Sequence, residues 1–151
     1  MKESQDFREF IELLNKHEVC YLMVGGYALS YHSRPKFTQD IDFWIDKNKE
    51  NAKKVLRVLE DFGFGGLGIS IADLTTSGKI IQLGVEPLRI DLLTSVDGLQ
   101  FENAYKEKVQ GHYYDVPVDI ISLDDLIRNK KASNRKKDQQ DLEWIEQYRP
   151  D

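Results

Sequence analysis

Residues 40–46 read DIDFWID, and this stretch constrains the chain more than any other. Polar and apolar residues alternate, which is the period of a strand with one face in a core and one face toward water. A strand needs neighbours to satisfy its backbone and helices or a second sheet to cover its apolar face, so the rest of the chain has to supply both. The alternation also sets Asp40 and Asp42 on one face, while Ile41, Phe43 and Ile45 take the other. Two carboxylates that close repel unless a cation or solvent lies between them.

Covering helices are legible on both sides. Phe7, Phe10, Ile11 and Leu14 recur at i, i+3, i+4 and i+7, predicting an amphipathic helix over 5–17, and Ala52, Val55, Leu56 and Leu59 predict another over 48–62, stopped by Gly63. Tyr21–Val24 is a short apolar run closed by Gly25-Gly26, so it reads as a buried strand ending in a tight turn, with a second helix running on to about Ser33. Pro35 then disfavours helix at Arg34 and sends the chain out extended. GKIIQLG and LRIDLLT read as two strands joined through Glu86-Pro87 as a hairpin. A short helix from Phe101 to Val109, a strand ending VPVDII and two terminal helices follow, the first of them capped by Ser122 with Asp125 near the positive end of its dipole. The pattern predicts one α/β (α+β) domain over residues 1–151, a mixed sheet flanked by helices with helices at the C-terminus.

Composition narrows the function. A net charge of −5 argues against a general nucleic-acid coat, although RNKKASNRKK, from Arg128 to Lys137, holds six cations in ten residues. A charge run on a terminal helix is usually a solvated face. No apolar run reaches the roughly 18–20 residues of a membrane span and no signal peptide is evident, so no membrane association and a cytoplasmic location are expected. Cys20 lies in an apolar run and reads as an inert buried thiol. GFGGLG over 63–68 fits a dinucleotide fingerprint only as a string, because it follows a helix and leads to a hairpin. His17, His32 and His112 lack metal-ligand spacing.

The residues that carry chemistry are therefore acids and glycines. Asp40 and Asp42 suit magnesium, which takes oxygen ligands and is commonly held by one or two carboxylates plus substrate phosphates. Asp91, an acid between apolar residues in LRIDLLT, is the best candidate for a third ligand. Gly25 and Gly26 would let a phosphate approach the backbone at a helix N-terminus, and Ser30, one turn in, adds a hydroxyl. Arg34 and Lys36 lie on the connection into Asp40, within reach of a triphosphate. Trp44 shares the strand face of the acids and reads as a wall of the cleft rather than a stacking platform.

Gly25-Gly26, a helix, T-x-D-I-D-F from Thr38 to Phe43, and R-I-D-L-L from Arg89 together resemble the polymerase-β-type nucleotidyltransferase superfamily. The resemblance is closest to small bacterial members grouped with the AbiEii-type toxins and the lincosamide and aminoglycoside nucleotidyltransferases, and it spans Tyr21 to about Leu142. It implies the nucleotidyltransferase fold and transfer of a nucleoside monophosphate from a nucleoside triphosphate (NTP) to an acceptor hydroxyl, with release of pyrophosphate. The acceptor would be a small molecule, a protein or an RNA end. Asp40, Asp42 and Asp91 would be catalytic and would hold Mg2+ or Mn2+, with Asp91 taking the acceptor's proton. Gly25, Gly26, Ser30, Arg34, Lys36, Thr38 and Lys130 would bind the nucleotide. Lys130 begins a K-x4-R-x-K-D-x2-D pattern with Arg135, Lys137, Asp138 and Asp141, in which the two acids are expected to pair with the cations. The family's usual Gly-Ser is Gly25-Gly26 here, so backbone amides or Ser30 would replace the missing hydroxyl. The alternative is a binding or regulatory module of a toxin–antitoxin-like pair, with a partner protein and little or no turnover.

Overall fold

The computed structural model describes residues 4–84 and 88–149. Six strands form one mixed sheet in the order β3-β4-β2-β1-β6-β5. The strands are β1 (Tyr21–Val24), β2 (Asp40–Ile45), β3 (Ile80–Leu83), β4 (Arg89–Leu93), β5 (Val109–Tyr113) and β6 (Val116–Ile120). β2 runs antiparallel to β1 and parallel to β4, β6 runs parallel to β1, and the outer pairs β3/β4 and β5/β6 are antiparallel. The expected pairing of β3 with β4 is present, and its Glu86-Pro87 connection lies outside the described residues.

Helix α1 (Gln5–Lys16) buries its predicted stripe, and α3 (Lys49–Asp61) buries Ala52, Val55 and Leu59 of its own, with Val58 buried and Leu56 only half-buried. Phe10 of α1 meets Phe43 of β2 at 5.7 Å between ring centroids, and Tyr21 of β1 meets it edge-on at 5.6 Å. Phe43 therefore faces the core made by these helices, opposite Asp40 and Asp42. Burying each such aromatic side chain contributes roughly 2–3 kcal/mol. Side-chain caps fix the helix starts: Ser4 accepts from the amide of Phe7, Asn48 from that of Asn51, and Ser122 from that of Asp125 at the start of α6 (Leu123–Ser133). Asn51 is buried and ties the ends of β1 and β2 to α3, accepting from the Cys20 amide at 2.8 Å and donating to the carbonyls of Cys20 and Asp46 at 3.0 and 2.8 Å.

Three local expectations change. The glycine pair is not a turn between β1 and α2; α2 (Gly25–His32) begins on Gly25 itself, whose φ of +69° makes the reversal in one residue. The stretch after α3 does not lead straight to the β3/β4 hairpin. A 3-10 turn over Gly65–Leu67 leads to α4 (Ile71–Thr75), started by a capping box between Ser70 and Asp73. Finally, α5 (Phe101–Lys106) is shorter than expected and Val109 opens β5. Gly111 in mid-strand hides β5 in the sequence, since strands disfavour glycine. A Cβ there would stand 2.7 Å from Ile120 and 2.8 Å from Tyr31, which is why the sheet accepts it.

Candidate active site

The parallel register of β2 and β4 puts Asp42 directly beside Asp91 and Asp40 beside Arg89. Both pairs share a face, because in-register neighbours on parallel strands project together. Asp91 is 7% exposed. Asp42 is pushed up to about 7, first by burial and then by the charges of Asp91 and Asp40. Next along the row is Val24, paired with Asp42, and one residue on stands Gly25. A Cβ on Gly25 would lie 2.1 Å from Asp42 Oδ2, so the first turn of α2 rests against this carboxylate only because residue 25 has no side chain. Among the described residues, no side chain caps the N-terminus of α2.

Arg89 is a site residue that sequence reading missed. Its Nε donates to Asp91 Oδ1 at 2.8 Å, and its Nη2 donates to Asp40 Oδ2 at 3.1 Å and Asp91 Oδ2 at 3.2 Å. In the sequence it is only a charge at a strand end; the cross-strand neighbour that gives it meaning lies 49 positions away. Asp40 Oδ1 is buried with no hydrogen-bond partner among the described residues.

Asp42 and Gly25 form part of one wall of a cleft of about 330 Å3 that also carries Lys79, Lys130, Arg135 and Lys137. Lys137 draws the Asp42 titration down against the larger effect of burial and the neighbouring acids. Lys79, just ahead of β3, is a second residue without a sequence signal, since only the fold brings it to this cleft. Lys130 is buried and its amine is shared by Asp141 at 3.0 Å and Asp138 at 3.5 Å. Burial opposes ionisation of both acids, but the hydrogen bonds of Arg135 to Asp138, and of Lys130 and Lys36 to Asp141, outweigh it and hold both carboxyls below their ordinary range. The expected pairing of Asp138 and Asp141 with the cations is therefore present, linking α6 to α7 (Lys136–Tyr148).

Other predicted nucleotide-site residues have structural partners. The Ser30 hydroxyl donates to the Lys36 carbonyl and accepts from the Lys36 amide, both at 3.1 Å, closing the loop after α2. Lys36 Nζ pairs with Asp141 at 3.0 Å, and Arg34 lies over the Tyr148 ring at 5.0 Å. Thr38 donates to the Asp40 carbonyl at 3.1 Å and packs on Gly26, where a Cβ would stand 3.0 Å from it. The structure thus brings Asp40, Asp42, Asp91 and Gly25 together and does not bring the Ser30, Arg34 or Lys36 side chains to them. Trp44 is 2% exposed and packs edge-on against Phe101, as part of the core.

The family model described as "Nucleotidyl transferase of unknown function (DUF2204)" matches residues 3–151. The chain belongs to that family. Two solved structures share the fold of this nucleotidyl transferase family member. One is a Thermotoga maritima protein, TM1012, named as a candidate nucleotidyltransferase, with 15% identity, 93% of this chain and 91% of that chain covered, and a TM-score of 0.63. The other is the lincosamide antibiotic adenylyltransferase LnuA in its lincomycin-bound form, with 16% identity, 97% and 98% covered, and a TM-score of 0.58. No curated protein matches the chain. The resemblance to the nucleotidyltransferase superfamily and its mixed-sheet fold is thereby established. Among the described residues no helix is long and apolar enough to cross a membrane.

Among the described residues, no three His, Cys, Asp or Glu side chains converge as a ready-made cation cage. The donor chemistry still fits a hard divalent ion: three carboxylates share a sheet face, one of their oxygens is buried without a partner among the described residues, and one acid is driven toward protonation first by burial and then by the charges of its neighbours.

Proposed function

We propose that the chain is a metal-dependent nucleotidyltransferase that moves a nucleoside monophosphate from an NTP to an acceptor hydroxyl in the cytoplasm. The observation that carries this reading is the in-register placement of Asp42 beside Asp91, at a cleft whose lining includes Lys79, Lys130, Arg135 and Lys137. Acids on the sheet and cations around the cleft suit a metal–triphosphate ligand, which is positive at one end and negative along the rest.

Asp40, Asp42 and Asp91 would hold Mg2+ or Mn2+. Such ions, when bound, stabilise the attacking and leaving oxygens of an in-line displacement. The uncapped amides at the start of α2 donate to a phosphate oxygen, a role that Gly25 permits by keeping the backbone bare. Lys79, Lys137 and Arg135 neutralise the triphosphate and the departing pyrophosphate. The acceptor oxygen forms a bond to the α-phosphorus, the α–β anhydride breaks, pyrophosphate leaves, and the acceptor's proton passes to the Asp91 carboxylate.

A second reading, a binding or regulatory module in a toxin–antitoxin-like pair, is favoured by Gly26 in place of the family's serine and by the engagement of the Ser30 hydroxyl with Lys36. Calorimetric titration with each NTP, with and without Mg2+, followed by mass analysis of the products, separates the two. Metal-dependent NTP binding with nucleotide transfer or pyrophosphate release supports the enzyme, binding with neither supports the module, and no binding defeats both.

A further inference from the structure

Arg89 is distinguished by which carboxylate oxygens it takes. Arg89 and Asp91 are two residues apart on β4 and so project to the same face, and the parallel register sets Asp40 next to Arg89. One guanidinium thereby engages both Asp91 oxygens and one Asp40 oxygen, at 2.8, 3.2 and 3.1 Å. The remaining oxygen, Asp40 Oδ1, is the buried one without a partner among the described residues. A residue that only oriented two metal ligands would hold each by one oxygen and leave the other for the ion; Arg89 covers both of Asp91's. An arginine cannot shed its charge to make way, so an ion approaching these oxygens meets a fixed positive group. The side chain is 23% exposed, which gives the guanidinium solvent to withdraw into.

Resting on the metal reading of the site, we infer that Arg89 is a built-in counter-cation that latches Asp40 and Asp91 in the metal-free protein and must release them before a divalent ion binds. The latch stabilises a cluster that would otherwise repel itself, and it makes the ion and the guanidinium competitors for the same lone pairs. Withdrawal also frees Asp91 to take a proton from the acceptor. A latch engaged about nine-tenths of the time weakens apparent metal affinity about tenfold.

The test is Mn2+ binding to the full chain without nucleotide, read by calorimetry or by the electron paramagnetic resonance of the free ion, in the wild type, Arg89→Met and Arg89→Lys. Methionine keeps the apolar stem and removes the charge. Lysine keeps the charge but cannot fork across two carboxylates. The expected result is Mn2+ binding about tenfold tighter in Arg89→Met, intermediate in Arg89→Lys, with the metal-free melting temperature lowered in both. Unchanged or weaker Mn2+ binding in a folded Arg89→Met overturns the latch and leaves the metal site standing. If Arg89→Met does not fold, Arg89→Lys decides by the same criterion. No Mn2+ binding by any of the folded proteins removes the metal reading and the latch with it.

Discussion

Replacing Asp42 with asparagine removes one of the proposed metal ligands, yet it should stabilise the metal-free protein at alkaline pH. The carboxyl is raised from an ordinary 3.8 to about 7 by burial and by Asp91 and Asp40. The folded state therefore favours the protonated form. The associated stability is fully present below about pH 4 and is lost as the pH climbs through about 7, where the folded state must carry the charge. A rise of that size corresponds to about 4 kcal/mol, and to about 2 kcal/mol once partial solvent screening is allowed for. Asparagine has nothing to ionise, so Asp42→Asn and wild type should melt alike near pH 4.5 and diverge upward. At pH 8 the variant should melt about 4–8 °C higher, the shift that about 2 kcal/mol produces in a chain of this size. The assay is thermal unfolding by circular dichroism from pH 4.5 to 8.5 with a chelator present. Adding Mg2+ and NTP should reverse the order at pH 8, because a ligand bound only by the folded wild type stabilises it by mass action. A variant less stable than wild type at pH 8 without metal, or a difference that does not change with pH, would refute the crowded-carboxylate argument.

Gly25→Ala forces a side chain into the left-handed region and 2.1 Å from Asp42 Oδ2, so it should destabilise by about 1–3 kcal/mol in urea melts and lose NTP binding by calorimetry. Lys130→Met leaves Asp138 and Asp141 buried with less positive charge. It should cost about 3 kcal/mol by chemical denaturation. Because both acids are held below their ordinary range, the wild type's stability from them is present above about pH 4 and lost as the pH falls further, and the variant should show less of this acid-side loss. Asn51→Ala strands the Cys20 amide and two carbonyls, and should cost about 2 kcal/mol with no specific change in nucleotide affinity.

The sequence marks acids and helices well because their signals are local. Asp40 and Asp42 sit two apart in an alternating strand, and Asp91 is conspicuous between Ile90 and Leu92. What brings Asp91 to Asp42 is the register of two strands about 49 residues apart, which no local pattern encodes. The same non-locality hid Arg89 and Lys79, whose significance comes entirely from neighbours across the sheet and cleft. Ser30, Arg34 and Lys36 lay near the site in the chain, but the loop after α2 uses them to close on itself and on α7. By contrast, α4 was within reach of sequence reasoning, since Ser70 and Asp73 stand at capping-box spacing ahead of Leu74.

Pyrophosphate release from NTP and Mg2+ in the presence of candidate acceptors, comparing wild type with Asp91→Asn, tests the central claim most directly. Release by the wild type and its loss in Asp91→Asn are expected, with much of the calorimetric NTP affinity retained, because an interaction made mainly in the transition state appears in the rate and barely in binding. Release by Asp91→Asn at the wild-type rate would contradict it.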